Sequence, residues 1–330
     1  MVSIFHYQDG DAWTWDTGNC HEAEAAMIRL NDVILLIVVF ISMIGGILFP
    51  RFGSLFCHYP QYCLMILLFL SFLSIEIRDI WATLKNSTGM IICLTLLKIL
   101  IIPVAIYYCF MIVAPSYAVA ALLLSGISTG VVAPFMSNLV KANSPLVMVM
   151  VVVTSLLIPF TLPAWIKILL GQTEEISLSA MIRTLSLVMF IPILAAEIVR
   201  NLTPRLLAVF TKIRFPLSLI LFAFINLGIF SRYSDFFHRE PVTIITATVV
   251  AIALSAVYCL CGILCMVKKP IEDQLAGAVT LGNINNVLII VFASEYFGPL
   301  EPTVAAIYIF PFFALLLPLK MYYIWHTGKK

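Results

Sequence analysis

The recurrence of long apolar runs constrains this chain more than any other feature. A helix needs about 20 apolar residues to cross the hydrocarbon core of a bilayer. Runs of that kind recur ten times, near residues 32–49, 60–77, 90–113, 116–139, 145–170, 178–199, 215–231, 241–267, 273–296 and 302–325. Of the 330 residues, 62% are hydrophobic and 11% charged, whereas a soluble domain carries about 25% charged residues. The solvent for most of the chain is therefore lipid, where a backbone must satisfy its own hydrogen bonds. The expected fold class is an all-α polytopic membrane protein with ten transmembrane helices. The net charge of +2 offers nothing to nucleic acid, so the first partner is the lipid bilayer.

An even number of spans puts both termini on one side. Of the 19 Lys and Arg residues, 13 fall on the side of the N-terminal tail, five (Arg51, Lys167, Arg183, Arg232 and Arg239) on the other, and one, Lys98, inside a span. That bias predicts cytoplasmic termini. Residues 1–31 are polar and acidic, with Asp9, Asp11, Asp16, Glu22 and Glu24. They lack the basic start and short apolar core of a signal peptide and read as a cytoplasmic tail. Trp13, Trp15, Tyr322, Tyr323 and Trp325 read as interface anchors.

Ten spans divide into two sets of five, 32–171 and 178–326, with the break near Gly171–Ser177. Five is odd, so the second set enters the membrane from the opposite face, the inverted repeat common among secondary transporters.

The fourth and ninth runs are not plain. The fourth contains Ser125-Gly126-Ile127-Ser128-Thr129-Gly130 and, further on, Pro134, Ser137 and Asn138; the ninth contains Thr280-Leu281-Gly282-Asn283-Ile284-Asn285-Asn286. Proline lacks an N–H and clashes with the preceding turn, and glycine is a weak helix former. Three asparagines in four residues are expensive at membrane depth unless they line a cavity or meet protein partners. Helix breaks are expected at Gly130, Pro134 and Gly282, in corresponding positions of the two halves, which is the sequence pointer to a site at the bilayer midplane. Ser128, Thr129, Asn283 and Asn286 are the candidate substrate contacts, with Asn226 of the seventh span as a further one; an interhelical bond is the other reading of Asn226. Kinked packing helices with asparagines bonded between spans are the plainer alternative for both breaks.

The eight cysteines are scattered, and Cys259, Cys261 and Cys265 lack metal-ligand spacing; they read as small apolar packing residues. The spans contain no paired carboxylates, Ser/His/Asp set, phosphate loop or His/Cys cluster, so neither an enzyme nor a cofactor or metal centre is expected.

The first span ends Gly45-Gly46-Ile47-Leu48-Phe49-Pro50, the third carries Lys98-Ile99-Leu100-Ile101-Ile102-Pro103, and the fourth-to-fifth connection is Lys141-Ala142-Asn143. Pro159 and Pro163 stand four apart in the fifth span, Gly282 and Asn285 lie in the ninth, and Phe310-Pro311 in the tenth. In order and spacing these segments resemble motifs of the bile acid:sodium symporter family. The resemblance implies a panel domain (spans 1, 2, 6 and 7) and a core domain (3, 4, 5, 8, 9 and 10), with broken fourth and ninth helices crossing in the core. It also implies a small organic anion as substrate, and an integral, multi-pass protein of a bacterial inner membrane.

The departures from the family pattern bear on coupling. On an ungapped alignment the family's sodium ligands fall at Ala133, Pro134, Val147, Val151, Thr280 and Ile284, of which only Thr280 offers a side-chain oxygen. A register shift makes Ser137-Asn138 the family's Ser-Asn pair instead. The third-span glutamine falls at Lys98, an intramembrane lysine and hence a functional candidate, as a surrogate cation, a proton site or a substrate anchor; a structural lysine snorkelling to the headgroups is the plainer reading. Lys98, Thr280, Asn285, Ser137 and Asn138 are the candidate ion- or proton-coupling residues. The expected function is a secondary active carrier of a small organic anion, working by alternating access without the usual two-sodium coupling, either proton-coupled or uncoupled. A sodium symporter with displaced ligands, and a transporter-like protein that moves nothing, are the alternatives.

Overall fold

The computed structural model describes residues 34–35, 37–73, 75, 77–171 and 177–327. The tail at 1–31, with Trp13 and Trp15, and most of the 171–177 connection lie outside the described residues. Among the described residues the chain is helical, and its one piece of β-type pairing is an isolated antiparallel bridge between Thr129 and Ile284.

The helices that matter here are α1 (Ile37–Leu48), α2 (Pro60–Phe72), α3 (Ile77–Asn86), α4 (Thr88–Val113), α5 (Pro115–Gly126), α6 (Ala133–Leu139), α7 (Ser144–Leu170), α8 (Leu178–Leu202), α9 (Pro204–Arg232), α10 (Pro241–Cys265), α11 (Ile271–Gly282), α12 (Asn286–Tyr296) and α13 (Leu300–Thr327). Six stretches, within α4, α7, α8, α9, α10 and α13, are long and apolar enough to cross a membrane. A seventh candidate is α1 with the short segment Pro50–Phe56, bent by 108° at Phe49. Prolines open many of these helices, at Pro60, Pro204 and Pro241 among others, because the first helical position has no intrahelical use for an N–H. Gly171 closes α7 with φ of 80°, a conformation that costs glycine little.

Several run boundaries move. Among the described residues the run at 60–77 contains the helix Pro60–Phe72, and α3 begins at Ile77. α9 starts at Pro204, 11 residues before the expected 215, so Lys212 and Arg214 extend a helix instead of occupying a loop. Pro134 does not interrupt a helix: it lies in the first turn of α6, where proline is tolerated.

Exposed large side chains such as Ile41, Leu48, Leu194, Ile245 and Leu260 face outward on α1, α8 and α10, as lipid-facing surfaces require. α11 and α12 contrast with them. Asp273–Gly282 and Asn286–Ala293 are buried throughout, so this interrupted element is enclosed by protein, the setting in which irregular backbone survives at membrane depth. α11 reaches that position by close packing on α10. A Cβ on Gly277 would lie 2.5 Å from the carbonyl oxygen of Gly262, so the two backbones touch, as small residues permit between membrane helices.

Candidate functional site at the meeting of two broken helices

α5 stops at Gly126 and α6 begins at Ala133; α11 stops at Gly282 and α12 begins at Asn286. The two gaps face each other and exchange backbone hydrogen bonds. The Gly130 amide donates to the Asn283 carbonyl at 2.7 Å, and the Asn285 amide donates to the Ser128 carbonyl at 3.0 Å. Two of the groups released by each break are thus taken up by the other, which spares them the need for water.

Side chains tighten the junction. The Thr129 hydroxyl donates to the Thr280 carbonyl at 3.0 Å, and the Thr129 amide donates to the Thr154 hydroxyl of α7 at 3.0 Å. Asn285 caps α12, accepting from the Leu288 amide at 3.3 Å, as asparagine commonly does at a helix start. The hydroxyl of Tyr308 on α13 donates to the Gly282 carbonyl at 2.8 Å, and that of Tyr258 on α10 to the Ala121 carbonyl at 3.4 Å. These tyrosines brace the end of α11 and the middle of α5.

Against this well-paired backbone stand five buried side-chain atoms with no partner among the described residues: Ser128 Oγ, Ser155 Oγ, Thr280 Oγ1, Asn285 Nδ2 and Asn286 Oδ1. Leaving a buried polar atom unpaired costs about 1–3 kcal/mol. Four of the five belong to the breaks and the last turn of α11, and Ser155 adjoins Thr154, which bonds to Thr129. Four are oxygens, the donor type that hard cations and water take.

Lys98 lies nearby. It is 2% exposed and sits in a π-helical turn, Leu97–Ile101, in the middle of α4. Pro103 cannot donate to the Ile99 carbonyl, and the Trp165 indole of α7 does so at 2.7 Å. One turn earlier the Thr95 hydroxyl meets the Met150 sulfur of α7 at 3.6 Å. Lys98 therefore belongs to the stretch of α4 packed on the part of α7 that holds Thr154 and Ser155. No hydrogen bond or ion pair engages its amine among the described residues. Single π turns inside α-helices are frequent at functional sites.

The other named residues fall elsewhere. Ser137 and Asn138 bond through Ser144, whose hydroxyl pairs with Ser137 Oγ and donates to Asn138 Oδ1. They close the α6–α7 connection. Asn226 donates to the Val39 carbonyl and to Ser42 Oγ, both at 3.2 Å, an interhelical bond between α9 and the first span. Ala133, Val147, Val151 and Ile284 are buried and apolar. Tyr258, Tyr308 and Trp165 escaped the sequence reading. The one signal for Trp165 was Pro103, which implied an unpaired carbonyl at Ile99 and hence a donor from another helix.

A family model for the sodium bile acid symporter family matches residues 61–239, more than half of the chain. No curated protein matches it. The helices long enough for a bilayer, the two interrupted elements that meet among them and the family match agree: this is an integral, multi-pass membrane protein, and it belongs to the sodium bile acid symporter family, a family of transporters.

Proposed function

We propose that the chain is a secondary carrier of a small organic anion that works by alternating access without the family's usual two-sodium arrangement. The six long helices, the bent first pair, α2 and the two broken pairs α5/α6 and α11/α12 make ten spans in this reading. They form an inverted five-plus-five repeat over 32–171 and 178–326, with both termini cytoplasmic. The panel is spans 1, 2, 6 and 7; the core is the rest and carries the site. Substrate meets Ser128, Thr129, Asn283 and Asn286. Lys98 takes the place of a coupling cation or exchanges a proton with the site, and Thr280 and Asn285 complete its surroundings.

The observation that carries this reading is the junction at Thr129 and Ile284, with five unpartnered buried polar atoms in its setting. Membrane helices packed only for stability have no reason to leave those atoms unpaired. The departure from sodium coupling is supported by Ala133, Val147 and Val151, buried side chains with no oxygen to offer.

Purified protein in proteoliposomes tests it, with small carboxylates and sulfonates screened for uptake with and without sodium. Uptake independent of sodium and altered in its pH profile by Lys98→Gln supports the reading. Sodium-dependent uptake, or equal uptake by wild type and Lys98→Gln at every pH, overturns the coupling part; no uptake of any anion overturns the whole.

A sodium symporter with displaced ligands is the second reading. It is favoured by the chemistry of the orphaned atoms, since Ser155 Oγ, Thr280 Oγ1 and Asn286 Oδ1 are oxygens. Sodium-dependent thermal stabilisation, lost in Ser155→Ala and Thr280→Ala, would select it.

A further inference from the structure

Cysteine enters this sequence as a small apolar residue, yet two thiols from distant parts of the chain are in contact. The Sγ atoms of Cys93 on α4 and Cys265 at the end of α10 lie 3.3 Å apart, 172 positions apart in sequence. Both are free; Cys93 is exposed and Cys265 half-buried. Cys93 is about 8 Å along α4 from Thr88 at 1.5 Å per residue. Cys265 adjoins the turn that carries the exposed Lys268 and Lys269. The contact is therefore near the polar edge of the bundle and within reach of small reagents.

The other described cysteines differ. Cys63 and Cys259 are buried, and Cys109 is exposed with no second described sulfur in contact. Cys57 is engaged with the Gly228 carbonyl and Ser231 Oγ. Cys261 lies one turn from Cys265 on the same helix, but the sulfur that Cys93 touches is that of Cys265. A sulfur–sulfur bond is about 2.05 Å long, so the pair closes by about 1.3 Å from its present 3.3 Å, a shift within reach of a side-chain rotation and a small slide of the helices.

We propose that Cys93 and Cys265 are a disulfide-forming pair, a reversible oxidation site that staples α4 to α10. The oxidant is a small two-electron thiol oxidant, either a low-molecular-weight disulfide or a diazene. One thiolate attacks the oxidant to give a mixed adduct, and the second thiolate attacks that sulfur and expels the reduced reagent. The two thiols lose two protons and two electrons, one S–S bond forms, and the oxidant takes up both. In the ten-span reading α4 and α10 are the third helices of the two halves, so the bond joins equivalent members of the core. The proposal stands on the thiol contact alone and survives if the carrier reading fails.

The test uses the whole wild-type chain in detergent micelles, oxidised with diamide at pH 8, capped with N-ethylmaleimide and digested without reduction. Mass spectrometry is expected to find a Cys93–Cys265 peptide pair several-fold more abundant than any other cysteine link, with maleimide labelling of both residues lost and then restored by dithiothreitol. Cys93→Ser should abolish the link and leave Cys265 labelled, and Cys265→Ser the converse. Maleimide retained on both thiols after oxidation overturns the proposal. So does a link formed mainly between chains, seen as a dimer on a non-reducing gel, or a Cys93–Cys261 link as abundant as the one to Cys265. The wild-type result decides the matter even if a variant fails to fold.

Discussion

The amide of Gly130 and the carbonyl of Asn283 join the two broken helices directly, 2.7 Å apart, and no side chain fits between them. A Cβ at position 130 would lie 2.7 Å from the Ile284 carbonyl oxygen and 3.2 Å from that of Asn283. Both neighbours are backbone and cannot rotate away. Gly130→Ala should therefore pry the bridge apart and lower stability by about 1–3 kcal/mol, the range for overpacking a tight site. The thermal midpoint of the purified protein in detergent measures it. Gly89→Ala is the control, because nothing lies within 4 Å of a Cβ there and alanine favours a helix. A Gly130→Ala midpoint equal to wild type would show that the bridge tolerates separation.

The same logic applies where α10 meets α11. A Cβ on Gly277 would lie 2.5 Å from the Gly262 carbonyl oxygen, and α11 depends on that approach to lie inside the bundle. Gly262→Val should displace α11 and cost more than Gly130→Ala, on the order of 3 kcal/mol or above, because a branched side chain adds more volume to a site with none to spare. Loss of monodisperse protein in size-exclusion chromatography, or a midpoint well below that of Gly130→Ala, is the expected result. A Gly262→Val protein as stable as wild type would mean that the two helices can separate freely.

Tyr308 supplies a hydroxyl to the Gly282 carbonyl at 2.8 Å, and phenylalanine keeps the ring while removing that donor. Tyr308→Phe should cost about 1–2 kcal/mol, since a buried carbonyl loses its partner. If Gly282 opens the site, substrate affinity should fall as well. Ligand-induced thermal shifts on Tyr308→Phe and wild type measure both quantities. Unchanged stability would mean that the Gly282 carbonyl finds another donor.

The architecture was legible where the physics is local. Apolar run length located the long helices, and Gly282 followed by asparagines located the end of α11. Pro134 marked the break in the fourth run while hiding its sense, because a proline that opens a half-helix looks the same in sequence as one that interrupts a helix. Partners on other helices, 25 to 187 positions away, were not legible. Nothing near Thr129 announces Ile284, Thr154 or Thr280, and nothing near Gly282 announces Tyr308, because pairing there is decided by how whole helices stack. Asn226 shows the same limit: a polar residue in an apolar run says that a partner exists but not that it is Ser42 and the Val39 carbonyl. Ser137 and Asn138 were drawn toward the site by their residue types, whereas their bonds to Ser144 belong to a connection.

Lys98 gives the sharpest test of whether the site is built for function or for stability. Its side chain is buried in α4, and no hydrogen bond or ion pair holds its amine among the described residues. A lysine at the centre of a membrane helix costs roughly 2.5–3.5 kcal/mol by insertion measurements. Methionine matches its length and adaptability without the amine. If Lys98 is kept for transport, Lys98→Met should leave thermal stability unchanged or raise it while anion uptake is lost, the pattern of a residue whose function is bought with stability. If the amine instead braces α4 against α7, the same variant should lose stability, and uptake should fall only in step with the amount of folded protein. Thermal midpoint and uptake per folded molecule, read on one preparation, separate the two, and a destabilised Lys98→Met protein with wild-type uptake per molecule would remove Lys98 from the mechanism.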